Sequence, residues 1–337
     1  NGPPGTGKTT MLRDILAGNI DAGVTNTWNR TVYGIEGFLP IGEDYRTQFT
    51  GRFDGAGHTL RGLYIKRPSE NTQGLFGYTV GARIENLSLV DGNVEGHDSV
   101  GGIVGYAQDT VIRNVSYAGR VNGNQIVGGI VGCAWGGSIQ NAWNTGAVRG
   151  RQQVGGIVGE ADGGSIRHAV WKTGSAVQAV GASSNGTDVT DVKVAPEADM
   201  KLAATYTDWK DANGNAVVAT EGGKGTPWRI YNGHSMPLLT ALMKGTKRLE
   251  KVYDGNVFAT TDPHITLVHP GKDVGTYDAY SDQFGYDLIG GAVIKSKSLT
   301  LGFTNGTRFD KTYDGNANVT QSLTKGTNYS LTGFVTG

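Results

Sequence analysis

The sequence predicts an all-β protein: a right-handed parallel β-solenoid with 27-residue coils and a C-terminal cap, followed by small tandem β-domains. The pentapeptide Gly-Gly-Ile-Val-Gly starts at residues 101, 128 and 155, so that it recurs at a constant interval. Gly accounts for 55 of the 337 residues, well above the usual share of about 7%. Helical periodicity is absent from the repeats, where short β-branched runs alternate with Gly, Asn and Asp, as is typical of strands and tight turns.

Composition and charge exclude several classes of protein. Hydrophobic residues make up 37% of the chain, which is too many for a disordered protein. Lys and Arg together equal Asp and Glu together, at 30 each, so no net field favours nucleic acid. No apolar run approaches the roughly 18 residues that a membrane-spanning helix needs, and the single cysteine, Cys133, excludes internal disulfides. We expect a folded protein that neither binds nucleic acid nor spans a membrane.

Residues 1–18 contain a phosphate-binding pattern in an unsuitable context. Gly2-Pro-Pro-Gly-Thr-Gly-Lys-Thr9 matches G-x-x-x-x-G-K-[ST], in which the backbone around Gly2 and Gly7 would cradle phosphates, Lys8 would reach the β/γ-phosphates and Thr9 would ligate Mg²⁺. The sequence of this segment resembles the phosphate-binding loop of AAA-type ATPases. However, no strand precedes the motif and no parallel-sheet αβ pattern follows it. We predict that this segment is not a folded domain, and nucleotide binding is kept only as an alternative function.

Residues 19–178 are predicted to form the solenoid. Four successive units share pairs of glycines at matching positions, namely Gly74 and Gly77, Gly102 and Gly105, Gly129 and Gly132, and Gly156 and Gly159. The same register places Ile84, Ile112, Ile139 and Ile166 in one column. A register kept over four units indicates a stack of similar coils that bury a shared core.

The expected coil explains the repeated residue types. Each coil would hold about three short strands and lie about 4.8 Å from the next coil. The repeated Ile and Val would fill the interior, and Asn86, Asn114 and Asn141 would form a hydrogen-bonded amide ladder. The glycines would allow either corners with positive φ or a close approach of two backbones.

The remainder of the chain is predicted to contain a cap and small β-domains. Residues 179–245 are assigned to an irregular cap, because an open solenoid end leaves unpaired strand edges. The hexapeptide Lys251-Val-Tyr-Asp-Gly-Asn256 returns later in the chain as Lys311-Thr-Tyr-Asp-Gly-Asn316. We therefore predict one β-domain at residues 246–300 and the truncated start of a second at residues 301–337.

These motifs resemble a family of bacterial surface proteins. Gly-Leu-Phe-Gly at residue 74 and Gly-Ile-Val-Gly at residues 102, 129 and 156 resemble the GLUG motif. With the Tyr-Asp-Gly-Asn repeats, they make residues 19–337 similar to filamentous-haemagglutinin-type exoproteins, which carry GLUG coils followed by YDG domains. The resemblance implies a long fibre that is exported by two-partner secretion with an outer-membrane secretion partner. It also implies an extracellular location on a Gram-negative cell surface and adhesion to an unidentified glycan or protein of a host or neighbouring cell.

We interpret the chain as a fragment of such a secreted adhesin, with the solenoid as a stiff stalk and binding surface. The alternative is a carbohydrate-active β-helix enzyme, which needs paired acids at matching positions on neighbouring coils. The column after the repeated isoleucines contains Glu85, Arg113, Gln140 and Arg167, and the column after the repeated Gly-Ile-Val-Gly contains Tyr78, Tyr106, Cys133 and Glu160. Neither column stacks acids, so we expect exposed columns of mixed charge without a catalytic residue.

Other constellations do not indicate bound cofactors. The six histidines show no metal-ligand spacing, and Cys133 has no recognisable His partner. Trp135, Trp143 and Trp171 have two interpretations, stacking on sugars at the surface or packing between coils. We expect no metal, no cofactor and no enzymatic activity.

Overall fold

The computed structural model describes residues 36–211, 213–223, 225–298, 300–303, 325 and 329–332, and this part of the chain is nearly all β. The phosphate-loop pattern with Gly2, Gly7, Lys8 and Thr9 lies outside the described residues, as does the second Tyr-Asp-Gly-Asn motif. The chain divides into two compact units. The first comprises the described residues up to Gly245 together with Asp282–Asp287, and the second comprises Thr246–Ser281 and the described residues from Leu288 onward.

The first unit is a parallel β-solenoid of about five coils, which confirms the predicted fold class. Its strands are β1 Arg52–Asp54, β2 Thr59–Arg61, β3 Tyr64–Lys66, β4 Phe76–Val80, β5 Arg83–Glu95, β6 Asp98–Gly101, β7 Val104–Gln108, β8 Val111–Asn122, β9 Gln125–Gly128, β10 Val131–Trp135, β11 Ser138–Asn144, β12 Ala147–Arg149, β13 Gln152–Asp162, β14 Ser165–Lys172, β15 Gln178–Ser184 and β16 Asp188–Ala195. One sheet follows the order β1-β5-β8-β11-β14-β16, and the other follows β4-β7-β10-β13-β9-β6.

The repeated apolar residues form the interior of the stack. Ile84, Ile112, Ile139 and Ile166 pair in register across β5, β8, β11 and β14, and each is at most 3% exposed. Val104, Val131 and Val158 form a second buried column on the other sheet. Because the sequence period matches the coil length, each coil buries its apolar face against both neighbours.

Asparagines bend the long strands at one corner of each coil. Asn86, Asn114 and Asn141 have φ of 56°, 52° and 55°, in the left-handed region that Asn tolerates better than most residues. Their amides form the predicted ladder: Asn114 Nδ2 donates to Asn86 Oδ1 at 2.9 Å, and Asn141 Nδ2 donates to Asn114 Oδ1 at 3.0 Å. His168 and Asp191 continue the left-handed column, with φ of 53° and 51°.

The repeat glycines have the second of the two predicted roles, a close approach of backbones. None of the eight is among the glycines with positive φ in the described residues. A Cβ at Gly129 would lie 2.2 Å from Gly156 O, and one at Gly132 would lie 2.5 Å from Gly105 O in the adjacent coil. A side chain at these positions would force neighbouring coils apart. Positive φ values occur instead at the asparagine column and at turn glycines outside the repeat pairs, including Gly136, Gly137, Gly163 and Gly164.

The solenoid extends beyond residue 178, so the predicted cap begins too early. Strand β15 pairs with β13 and β16 pairs with β14, both in parallel, which places residues 179–195 in the stack. Ile166 pairs with Ile139 on one side and with Val189 on the other, so the last coil is shorter than the one before it. Because this coil is shorter, its residues do not follow the 27-residue interval, and the sequence repeat did not include them.

The cap packs against the outer face of a sheet. It contains two 3₁₀ helices, Asp199–Lys201 and Ala203–Tyr206, and three short strands, β17 Val218–Ala219, β18 Trp228–Arg229 and β19 Leu238–Leu239. Its buried core of Met200, Trp209 and Trp228 clusters with Trp143 and Val170 of the solenoid. The cap was expected to close the end of the stack, and its core lies on the flank instead, against the apolar side chains of Trp143 on β11 and Val170 on β14.

A buried ion pair joins the segment Asp282–Asp287 to the cap within the first unit. Arg229 Nε donates to Asp287 Oδ1 at 2.7 Å, and both side chains are at most 3% exposed. On the solenoid side, Thr59 Oγ1 donates to Gln283 Oε1 at 2.9 Å. Removing one partner of such a buried pair leaves an uncompensated charge, so these contacts fix the segment in place.

The second unit is antiparallel where its pairings are recorded. Its strands are β20 Thr246–Val252, β21 Ile265–Leu267, β22 Gly275–Tyr277, β23 Ala279–Ser281, β24 Asp287–Lys295, β25 Thr300–Phe303 and β26 Tyr329–Thr332. The first Tyr-Asp-Gly-Asn motif forms a closed turn after β20. Lys251 Nζ donates to Asp254 Oδ1 and to Asn256 O, both at 2.7 Å, and Gly255 has a φ of 80°. The order of Lys, Asp and Gly within this motif is therefore explained by the turn.

Candidate functional site

Side chains along each strand point alternately inward and outward. On the outward side of the solenoid, charged side chains gather at one surface and aromatic side chains at another. The arginine cluster consists of Arg52, Arg83 and Arg113 around Glu85, on the first three coils. The aromatic strip consists of Tyr78, Tyr106 and Trp135, on the other sheet. Both arise from the register of the parallel strands, because residues far apart in sequence become neighbours about 4.8 Å apart in adjacent coils.

The arginine cluster is positioned by strands β1, β5 and β8. Arg52 pairs in register with Arg83, and Asp54, Glu85 and Arg113 follow one another in the neighbouring column. Arg52 Nε donates to Glu85 Oε1 at 2.7 Å, Arg83 Nε donates to Oε2 at 3.1 Å, and Arg113 Nε donates to Oε2 at 2.5 Å. One carboxylate therefore receives hydrogen bonds from guanidinium groups of three coils.

Glu85 is fully buried beneath arginines that remain open to solvent. Its side chain is 0% exposed, whereas those of Arg52, Arg83 and Arg113 are 63%, 43% and 41% exposed. Desolvation alone would raise the pKa of Glu85, but hydrogen bonds from Arg113, Arg83 and Arg52 outweigh it and hold the pKa below its usual value. Both carboxylate oxygens are occupied, so Glu85 acts as an anchor for the guanidinium groups and has no free oxygen for proton transfer.

The cluster corrects one expectation from the sequence. The column Glu85, Arg113, Gln140, Arg167 was expected to be exposed throughout, and Glu85 is buried because three arginines cover it. The signal was present in the sequence as Arg-Ile-Glu at 83–85 with Arg113 one coil later. It was missed because Arg52 belongs to the first coil, where the repeat is irregular.

The aromatic strip lies on strands β4, β7 and β10. The Tyr78 and Tyr106 rings stack with centroids 4.5 Å apart and an interplanar angle of 17°. Trp135 is 55% exposed, between Gln108 and Asp162 in its column. Trp143 and Trp171 are 6% and 7% exposed, so these two pack in the interior, whereas Trp135 lies at the surface.

Cys133 lies between Tyr106 and Glu160 in the same sheet and is buried. Burial, followed by the charges of Glu160 and Asp162, raises the pKa of the Cys133 thiol to about 12. A thiol that stays protonated at neutral pH is a poor nucleophile.

No metal-binding constellation is found within the described residues, where no group of three or more His, Cys, Asp or Glu side chains converges. His168 Nδ1 lies 2.9 Å from Asp191 Oδ2, and Lys193 Nζ lies 2.7 Å from Asp191 Oδ1. These contacts connect the side chains of β14 and β16. In the same part of the chain, no helix has the length and apolar character needed to span a membrane.

Comparison with known proteins gives limited matches. No protein-family model matches the chain, so the resemblance to GLUG and YDG sequences depends on the residues quoted above. A stretch of 108 residues, 31% of this chain, is 38% identical to Halomucin of Haloquadratum walsbyi (strain DSM 16790 / HBSQ001). That stretch spans 1% of the length of Halomucin, so the relative is a far longer protein.

One solved structure aligns with part of the chain. It is the crystal structure of a Bacteroides ovatus protein described as an immunoglobulin A1 protease, which aligns over 48% of this chain and 67% of its own length. The sequence identity is 18% and the TM-score is 0.33. At these values the alignment supports no conclusion about activity.

Proposed function

We propose that the chain is part of a secreted bacterial cell-surface adhesin, in which the solenoid is a stiff stalk with laterally displayed binding residues. The observation that supports this most directly is the pair of continuous ladders, of asparagine amides and of buried isoleucines, that run across successive coils. A stack in which every coil bonds both neighbours resists bending. The similarity of one segment to a small fraction of a very long relative agrees with a module in an extended protein.

The proposed ligand is a glycan or a protein on a host or neighbouring cell. The outward faces of the coils differ from rung to rung, while the inward faces repeat. Exposed Trp and Tyr, with Arg, are the side chains enriched at the centres of binding surfaces, and the solenoid displays them on two faces. The proposed role is non-enzymatic and needs no cofactor.

The proposed export route follows from the family resemblance. A filamentous-haemagglutinin-type protein would reach the surface of a Gram-negative cell by two-partner secretion, through an outer-membrane secretion partner. Nucleotide binding through Lys8 and Thr9, and carbohydrate cleavage by a β-helix enzyme, are the alternative functions. Neither has a supporting observation among the described residues.

Attachment of coated beads tests the adhesive role. Latex beads coated with the full chain would be washed over mucin-coated glass and over a monolayer of epithelial cells, and the retained beads would be counted. The matched control is the chain with Gly132→Val, which has the same length and charge but a disrupted stack. Retention of wild-type beads well above the control supports the proposal, and equal retention on every surface contradicts it.

A further inference from the structure

We infer that the arginine cluster is an oxyanion-binding site for a polysaccharide that carries sulfate or carboxylate groups. The inference stands on the contacts of Arg52, Arg83, Arg113 and Glu85, and it does not depend on the adhesive role proposed above.

Glu85 orients the three guanidinium groups, because each of them directs its Nε toward the buried carboxylate. Arg83 and Arg113 use Nε for the buried carboxylate, and among the described residues no other acceptor is bonded to their terminal nitrogens. Arg52 has fewer unpaired N–H groups, because its Nη2 also lies 3.1 Å from Asp54 Oδ2. A planar guanidinium held in this way presents N–H donors in the geometry that binds carboxylate, sulfate and phosphate oxygens bidentately.

The charge of the cluster is not balanced internally. Three guanidinium groups face two carboxylates, Glu85 and Asp54. Arginine stays protonated at any physiological pH, and Glu85 stays ionised because its pKa is lowered. The surface therefore keeps an excess positive charge that an external anion would neutralise.

Three guanidinium groups share the single carboxylate of Glu85. A carboxylate can accept about four hydrogen bonds, so its oxygens accommodate the three arginines, but its one negative charge does not balance their three positive charges. A purely structural ion pair would leave the additional like charges in a repulsive arrangement. An external oxyanion between Arg83 and Arg113 would relieve this repulsion.

The surroundings of the cluster favour a polysaccharide over a peptide. Beyond Val111, which pairs with Arg83, the same face continues along the solenoid with Ser138, Gln140 and Ser165, whose hydroxyl and amide groups can both donate and accept hydrogen bonds. The spacing of adjacent coils, about 4.8 Å, is close to the rise of one hexose in an extended polysaccharide. A flat face of polar side chains at this spacing fits a chain of hydroxyl-bearing rings.

Binding of defined polymers to the full chain tests the inference. Immobilised protein would be titrated with dextran, dextran sulfate, polygalacturonate and polyglutamate at low ionic strength and again at about 0.15 M salt, where the Debye length is about 8 Å. We expect dextran sulfate, polygalacturonate or both to bind, with weaker binding at the higher salt, and we expect dextran not to bind. Sulfate-only or carboxylate-only binding would support the inference and identify the source of the oxyanion.

Substitutions assign the binding to the cluster. Arg83→Gln and Arg113→Gln should each weaken the affinity about tenfold, the effect of losing one charge-assisted bidentate contact. Arg83→Lys keeps the charge but loses the planar fork, so it should weaken the affinity several-fold even if a glutamine variant fails to fold. Arg61→Gln is the matched control, because Arg61 lies on β2, outside the cluster and the face described above, and is paired with Asp91; its affinity should match the wild type.

Several outcomes would overturn the inference. It fails if no charged polysaccharide binds, if folded Arg83 and Arg113 variants bind as the wild type does, or if Arg61→Gln weakens binding equally. Polyglutamate binding as tight as that of the charged polysaccharides would overturn the assignment to a polysaccharide. Bead attachment that persists while polymer binding fails would reject this site and leave the adhesive role intact.

Discussion

The left-handed asparagine is the residue that fixes the corner of each coil. At φ near 55° most side chains clash with the backbone, and Asn is among the few that occupy this region routinely. The same side chain bonds the coils above and below, from Asp54 through Asn86 and Asn114 to Asn141. The ladder stops at His168, and Asn141 Oδ1 accordingly has no partner within the described residues.

Asn114→Ala should destabilise the solenoid more than Asn114→Gly does. Both variants lose the two amide bonds, each contributing about 1 kcal/mol, but only alanine must also adopt a φ of 52°, at a further cost of about 1–2 kcal/mol. Urea unfolding followed by circular dichroism would rank them as wild type, then Gly, then Ala. Equal stability of the two variants would show that the left-handed conformation contributes nothing.

Glu85 should make stability dependent on pH in the acidic range. Its pKa in the folded protein is lowered from the ordinary value of 4.5, so its contribution is fully present above that pH and is lost as the pH falls through the folded value. Melting temperatures of the wild type and Glu85→Gln, measured from about pH 6 down to about pH 3, should converge as the pH falls. A constant difference across this range would contradict the lowered pKa.

At the scale of elements, the sequence period predicted the register of the coils but not every corner. The recurrence of Ile and Val at a constant interval was sufficient to place β5, β8, β11 and β14 side by side. The last coil, which contains β15 and β16, was missed because it is shorter than the coil before it and its Gly-Ile-Val-Gly is replaced by Ala-Val-Gly at 179–181. The arginine cluster was missed for a related reason, since it depends on the irregular first coil.

Gly132→Val should disrupt the coil that contains β10 and β11. A Cβ at this position would lie 2.5 Å from Gly105 O and from the backbone of Ser99, and neither backbone can move without breaking ladder bonds. We expect a loss of several kcal/mol or failure to fold. The control is Gly51→Ala, whose Cβ would meet only the Phe49 ring at 3.3 Å. Similar melting temperatures for both variants would contradict the close approach of the coils.

At the scale of the whole molecule, the described chain combines a stacked solenoid with a separate antiparallel unit. In the solenoid each coil contacts only its neighbours, so stability is the sum of coil and interface contributions. The arrangement separates two roles. The inward residues repeat and hold the stack together, and the outward residues differ from coil to coil.

Single-molecule stretching of the full chain, held by tags at both ends, tests most directly whether the solenoid is a stiff stalk that resists force. Because coils interact only with neighbours, the account predicts discrete force peaks, with length increments of about 90 Å for each released coil of about 27 residues. Gly132→Val should remove peaks belonging to the disrupted part of the stack. A smooth, low-force extension of the wild-type chain without discrete increments would contradict the account.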